Sequence, residues 1–149
     1  MISKILVATD FSENSKRALD VAVDLAEKLN ASITILNVVQ TSPSVAGSIG
    51  FFSGDIPVYF DPLFYDEVKK KSEQAIANVI NKVKELKPNM TLLPLVKEGN
   101  PIREIVDATK NFDLIVIGHK GLSRVHEVFM GTTSERIVNL AKCPVLIVQ

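Results

Sequence analysis

The sequence has few of the residues that mark several common classes of protein. It contains one cysteine, Cys143, and no tryptophan, which excludes an intramolecular disulfide framework and a zinc site built from several cysteines. Lysine plus arginine and aspartate plus glutamate both number 17, so no net charge attracts the chain to nucleic acid or to an anionic membrane. No apolar run approaches the roughly 20 residues that a membrane-spanning helix needs.

The remaining composition is that of an ordinary globular protein. Of the 149 residues, 46% are hydrophobic and 23% are charged, a balance that supports one packed core. The N-terminal stretch meets charged residues too early for a secretory signal. We therefore expect a single domain over residues 1–149 that is cytoplasmic and binds neither membranes nor nucleic acid.

Short apolar runs alternate with amphipathic stretches along the chain. The runs cover residues 2–9, 32–39, 91–96, 113–117 and 144–148, and each is typical of a strand buried on both faces. Between them, apolar residues recur every three or four positions, which predicts helices. Ser12, Asn100 with Pro101, and Thr132 or Thr133 are suited to begin helices, and Asn30 is suited to end one.

The order of these elements predicts a doubly wound α/β fold with a five-stranded parallel sheet. The expected strand order is 3-2-1-4-5. Ligands of such sheets bind outside the carboxyl ends of the strands, at the point where the order reverses. That point lies between the first and fourth strands.

Residues 40–62 break this regularity, because they are rich in glycine and proline. Six of the nine aromatic residues lie between positions 51 and 65, which is unusual for a solvated linker. We interpret this aromatic loop as packing against its own domain or a second subunit, with a ligand lid or a partner surface as the alternatives.

Glycines and hydroxyl residues follow the fourth strand. Gly118, Gly121 and Gly131 form the pattern Gly-x2-Gly-x9-Gly, and the last glycine precedes a predicted helix. Glycines allow backbone amides to approach a ligand, and a helix N-terminus favours an anion. The same segment supplies hydroxyl donors and positive charge at Lys120, Arg124, Thr132, Thr133 and Ser134. Phosphate is the anion that best uses this set, although the glycines could also serve only turns and a cap.

The segments that follow the first and third strands add further candidates. Thr9 and Asp10 end the first strand, and Gly99 with Pro101 flanks a helix start. The Asp10 carboxylate could accept hydrogen bonds from ribose hydroxyls or bind a metal that bridges phosphates. Alternatively, Asp10 only caps the first helix.

These motifs together resemble the universal stress protein family, in its ATP-binding form. The resemblance rests on Ala8-Thr9-Asp10, on Gly99-Asn100-Pro101 and on the match of Gly118, Gly121, Gly131 and Thr132 to the family pattern Gly-x2-Gly-x9-Gly-(Ser/Thr). It covers essentially the whole chain. It implies a Rossmann-like fold of the adenine nucleotide α-hydrolase type.

The resemblance also implies a ligand and an assembly. Asp10 would contact the ribose or the phosphates of ATP through Mg²⁺ (or Mn²⁺), and Val38 would offer backbone groups to adenine. The other residues expected around the nucleotide are Ile117, Gly118, His119, Lys120, Gly121, Arg124, Gly131, Thr132, Thr133 and Ser134. A homodimer would form by antiparallel pairing of the last strands, residues 144–148.

The function expected from the sequence is that of a dimeric ATP-dependent sensor or switch in a stress response. A slow ATP hydrolase is the first alternative, but no residue is an evident general base. The second alternative is an interaction module that binds no nucleotide and holds a protein partner with the 40–62 aromatic loop. The sequence names neither that partner nor the stress.

Overall fold

The computed structural model describes residues 1–40, 62–120 and 130–149. Strands and helices alternate along these residues. The strands are β1 (Lys4–Ala8), β2 (Ser32–Gln40), β3 (Leu92–Gly99), β4 (Leu114–Gly118) and β5 (Val145–Val148). The helices are α1 (Glu13–Leu29), α2 (Pro62–Leu86), α3 (Pro101–Ala108), which a short 3₁₀ turn (Thr109–Asn111) extends, and α4 (Thr132–Leu140).

All five strands are parallel and form one sheet in the order β3-β2-β1-β4-β5. The predicted fold class and strand order are therefore confirmed. β1 lies at the centre, where Ile5 is in register with Ile33 of β2 and with Leu114 of β4. Consequently the carboxyl ends of β1 and β4 lie side by side.

The helices cover the two faces of the sheet in pairs. Ile5 and Val7 point to one face, where they pack in a core cluster with α1 and α2. Leu6 points to the opposite face, where its cluster includes Ile105 of α3 and Ile137 of α4. Alternate residues of a strand face opposite sides, so a continuous apolar run is required to bury both faces.

Local capping fixes several helix ends as the sequence predicts. The Ser12 side chain accepts a hydrogen bond from the Ser15 N–H and begins α1, and Asn30 ends this helix with a left-handed φ of 52°. The Asn100 side chain accepts from the Arg103 N–H and begins α3. These three predictions are confirmed.

The start of α4 differs from the prediction that Thr132 or Thr133 would cap it. Gly131 occupies the cap position, and as a glycine it has no side chain that could make a cap hydrogen bond. The reason is that Thr132 already has helical backbone, so its hydroxyl is one position too late to act as a cap.

The second helix begins at Pro62, well before the apolar stripe that starts near Ile76. Its first turns therefore include the end of the aromatic-rich stretch. The interpretation of the 40–62 aromatic loop otherwise falls on residues 41–61, which lie outside the described part of the chain. Among the described residues, no helix is both long and apolar enough to span a membrane.

The amino edge of the sheet is joined by a carboxylate. Asp113 Oδ2, just before β4, accepts hydrogen bonds from the Ser3 N–H at 2.8 Å, the Ser3 hydroxyl at 2.9 Å and the Lys4 N–H at 2.9 Å. Asp113 thus connects the beginnings of β1 and β4, at the edge opposite the switch point.

Candidate functional site

A cavity of about 470 Å³ opens at the carboxyl ends of the strands, a size typical of small-molecule sites. The ends of β1, β2 and β4 and the starts of α3 and α4 form its walls. The cavity lies beside the β1–β4 pair, where the strand order reverses. This is the position that the fold predicts for a ligand.

One side of the cavity is apolar. Its apolar lining includes Leu36, Val38, Ile105, Ile117 and Ile137, most of which also belong to the core cluster beneath α3 and α4. A flat apolar ring would be well accommodated against this surface, while polar groups are left to the rim.

The loop after β1 forms the first polar wall. Asp10 Oδ1 accepts a hydrogen bond from the Ser12 N–H at 3.0 Å, and Thr9 Oγ1 accepts one from the Phe11 N–H at 3.0 Å. Phe11 has a φ of 63°, a left-handed conformation that is unfavourable for an aromatic residue. The loop is therefore held in a specific, strained conformation with Asp10 at the cavity.

The start of α4 forms the second polar wall. Gly131 lines the cavity together with the exposed residues Thr132 and Thr133. Ser134 is buried, and its hydroxyl donates to the Gly118 carbonyl at 3.0 Å, which joins α4 to β4. Gly131, the cap residue of α4, has no side chain to bind the first amides of the helix. Because Gly131, Thr132 and Thr133 line the cavity, these amides and the positive end of the helix dipole lie where an anion could bind.

Charged side chains of both signs line the cavity. Among the described lining residues, Asp10 and Lys120 carry formal charges. Asp10 belongs to the β1 wall, whereas Lys120 follows β4 and lies close to Gly131, whose N–H donates to the neighbouring His119 carbonyl at 3.1 Å. A ligand with a hydroxyl-rich part and an anionic part would match this arrangement.

The packing of α1 against β4 requires a glycine at position 118, a constraint that the sequence did not reveal. A Cβ on Gly118 would lie 2.8 Å from the backbone carbonyl carbon of Asn14 in α1, closer than real contacts allow. Glycine is therefore required for α1 to approach the end of β4. By contrast, the contacts that a Cβ on Gly131 would make with the described residues are ordinary ones, the shortest being to Lys120 Cα at 3.5 Å.

Most of the predicted residues come together at this one cavity. The predicted residues that line it are Thr9, Asp10, Val38, Pro101, Ile117, Gly118, Lys120, Gly131, Thr132, Thr133 and Ser134. Gly99 and His119 are not among its lining residues. Gly99 has a φ of +138°, so the backbone itself requires glycine there. Gly121 and Arg124 fall within 121–129, outside the described residues.

Sequence reasoning missed several lining residues. Those that it did not name as ligand contacts are Ala8, Ser15, Leu36, Asn37, Gln40, Ile105 and Ile137. The apolar ones are ordinary core residues in the sequence and carry no local signal. Asn37 did carry a local signal in the sequence, because it is a polar residue within the otherwise apolar end of a buried strand.

The described side chains around the cavity could bind a metal ion only if a bound ligand supplied further donor atoms. Among the residues that the structure describes, no three His, Cys, Asp or Glu side chains cluster as a metal site would require. Mg²⁺ is commonly bound by one or two carboxylates together with substrate phosphates. Asp10 at the cavity could supply one such carboxylate.

The whole chain, residues 1–149, matches the family model described as the universal stress protein family. The chain belongs to this family. Universal stress protein YxiE of Bacillus subtilis is 34% identical over 155 residues, with all of both chains covered.

Solved structures support the fold independently. The universal stress protein UspA from Lactobacillus plantarum superposes with a TM-score of 0.76 at 24% identity, covering 99% of this chain and 98% of that one. A universal stress protein solved in complex with cAMP has a TM-score of 0.69 at 22% identity, with 99% and 97% covered. These universal stress proteins share the α/β architecture described above.

Proposed function

We propose that this universal stress protein binds ATP in the cavity at the carboxyl edge and acts as a dimeric, nucleotide-dependent sensor in a stress response. The observation that carries the proposal is the cavity itself. It combines an apolar side near Val38 and Ile117, the Asp10 carboxylate on one wall, and the start of α4, whose cap residue is a glycine, beside Lys120. The cAMP complex of a relative supports an adenine nucleotide as the class of ligand.

The proposed orientation follows from the chemistry of the walls. Adenine lies against the apolar side at the end of β2, and the ribose lies near Asp10, whose carboxylate can accept hydroxyl hydrogen bonds. The phosphates lie at Gly131, Thr132 and Thr133, where backbone amides and hydroxyls donate. Mg²⁺ would neutralise part of the phosphate charge when bound, with Asp10 as its protein ligand.

The dimer is proposed to form through β5. This strand lies at the edge of the sheet and pairs with β4 on one side. Its residues from Val145 to Val148 are apolar and only half-buried, so antiparallel pairing with a second copy would bury them. Sedimentation of the wild type against an Ile147→Lys variant tests this, because a charge on the strand should shift a dimer towards monomers.

The switching mechanism is a shift between conformations. ATP can favour only the state that binds it more tightly, and the cavity walls at the starts of α1 and α4 are the parts that a bound ligand would stabilise. Amide exchange at these two starts should slow when ATP is added. Unchanged exchange with saturating ATP would argue against a switch. The protein is proposed to do this in the cytoplasm.

The deciding experiment is a calorimetric titration of the purified protein with ATP, with and without Mg²⁺, and with AMP as a comparison. We expect saturable binding near one ATP per chain. A flat titration, combined with no nucleotide released on heat denaturation, would contradict the proposal. Measuring phosphate release in the same samples separates simple binding from slow hydrolysis.

A further inference from the structure

The Asn37 side chain binds the carbonyl oxygen of Thr9, and the Ser72 hydroxyl binds Asn37 in turn. Asn37 Nδ2 donates to this oxygen at 2.7 Å, and Ser72 Oγ donates to Asn37 Oδ1 at 2.7 Å. Asn37 belongs to β2, and Ser72 is buried on α2. The three residues form a continuous chain of hydrogen bonds from α2 through β2 to the end of β1.

The chemistry of this chain requires an amide at its centre. The Thr9 carbonyl can only accept, so Asn37 must direct its NH₂ group towards it, and its Oδ1 then faces the Ser72 hydroxyl. A carboxylate of the same shape would lack the donor, and an apolar side chain would lack both groups. The short distances at both ends show that each requirement is met.

Thr9 is fixed at its other polar atoms as well. Its N–H donates to the Leu36 carbonyl at 2.8 Å, and its hydroxyl donates to Ser15 Oγ at 3.0 Å. The left-handed conformation of Phe11, two residues later, has a conformational cost and persists only where surrounding contacts impose it. The bond from Asn37 is one of the contacts that hold the first peptide of this loop.

We propose that Asn37 and Ser72 are positioning residues of the candidate site. They fix the Thr9 peptide, and through it the position of Asp10. The ligand affinity of the site therefore depends on how α2 packs against β2. The part of this inference that concerns affinity rests on the proposed function, because the ligand at Asp10 is taken to be a nucleotide. Ser72 is not among the residues that line the cavity, so it acts only through Asn37.

The substitution Ser72→Ala tests this directly, because it removes the hydroxyl without removing a group that faces the nucleotide. In a calorimetric titration with ATP and Mg²⁺, we expect affinity to fall about threefold to tenfold, the effect of losing one hydrogen bond. Asn37→Leu should lower it at least as much, since both bonds are lost.

Thr109→Val is the matched control. Thr109 is buried, its hydroxyl donates to the Val106 carbonyl at 2.6 Å, and the Lys142 N–H donates to it at 2.9 Å. The Thr109→Val variant therefore loses comparable hydrogen bonds at the C-terminal end of α3, whereas the cavity lies at the N-terminal end of that helix. We expect lower thermal stability with unchanged ATP affinity. Equal losses of affinity in Thr109→Val and Ser72→Ala would show a general loss of stability and overturn the positioning role.

Amide exchange without nucleotide gives a second readout. The N–H groups of Phe11 and Ser12 are bonded within the loop, and in Ser72→Ala we expect them to exchange about tenfold faster, with the β4 amides unchanged. If wild type bound no ATP, the proposed function would fail, while faster exchange would still support positioning of the loop. Unchanged exchange in Ser72→Ala would overturn the inference whether or not ATP binds.

Discussion

The two helix starts beside the cavity, those of α1 and α4, share a backbone conformation but differ in how they are completed. The cap residue Ser12 has φ −69° and ψ 163°, and the cap residue Gly131 has φ −63° and ψ 144°. Ser12 supplies a side-chain acceptor to α1, whereas Gly131 supplies none to α4. The cap residue of α1 thus binds an amide of its own helix, whereas the cap residue of α4 leaves the first amides of that helix to other partners, such as a ligand. We expect substitutions at the first to change stability and substitutions at the second to change affinity.

The largest expected effect is that of Thr132→Asp. A carboxylate in the first turn of α4 would repel the phosphates of ATP, and like-charge repulsion of several kcal/mol corresponds to a loss of affinity of about a hundredfold or more. The fold should not suffer, because an acidic residue suits a helix N-terminus. Calorimetric titration with ATP measures the loss, and thermal unfolding checks the fold.

Thr132→Asn is the control for that charge, since it is polar but neutral. It should lose far less affinity than Thr132→Asp. Equal affinity of the Asp variant and wild type would mean that no phosphate lies at the start of α4, and the contrast between the two helix starts would lose its functional meaning.

The next largest effect concerns the α1 side of the comparison. Gly118→Ala would place a Cβ 2.8 Å from the Asn14 backbone, and overpacking of this kind typically costs about 1–3 kcal/mol. Urea unfolding should show a lower free energy of unfolding. An unchanged midpoint would mean that α1 moves away from β4 without cost.

Gly131→Ser converts the start of α4 into a copy of the start of α1. The backbone is already extended, and the new Cβ would make ordinary contacts with the described residues around it, so serine can cap the helix and raise stability by a few tenths of a kcal/mol. Its hydroxyl would compete for the amides that we propose bind phosphate, and we expect ATP affinity to fall about tenfold. Parallel calorimetry and thermal unfolding would reveal these opposite changes; unchanged affinity would show that those amides do not contact the ligand.

The smallest effect is expected at the opposite edge of the sheet, which serves as a reference. Hydrogen bonds from the Ser3 N–H, the Ser3 hydroxyl and the Lys4 N–H lower the pKa of Asp113 below its ordinary value of 3.8 in the folded chain. The stability that follows is complete above the pKa of the unfolded chain and is lost as the pH falls through the lower folded value.

Asp113→Asn should therefore be less stable than wild type at pH 7, with a difference that shrinks as the pH falls below about 4. ATP affinity at neutral pH should stay the same. Unfolding curves at several pH values measure the first effect. A constant difference across all pH values would contradict the role of the ionised carboxylate.

The fold could be predicted from the sequence where the signal is local. The caps at Ser12 and Asn100 and the stop at Asn30 involve only neighbouring residues, and a sheet buried on both faces requires continuous apolar runs. The start of α2 was not predicted, because the residues around Lys69 and Lys71 are mostly exposed and the apolar stripe is weak there.

The candidate site could be predicted only in part. Asp10 and Thr132 could be named because they stand at the end of a strand and the start of a helix. Asn37 was missed because its role depends on Thr9 and on Ser72, which is 35 positions away. The contact between Gly118 and Asn14 likewise exists only once the sheet has formed, so the glycine pattern indicated a ligand but not this second constraint.

The pairing of β1 with β4 has a consequence for the order of events during synthesis. Ile5 and Leu114 become neighbours only through this pairing, and the cavity needs walls from the first and the last thirds of the chain. Contacts between such distant segments form late, because closing a long loop must precede them. A chain still emerging from the ribosome before α4 has been made lacks one wall of this cavity, so any ligand of the cavity would bind finished molecules and not unfinished ones.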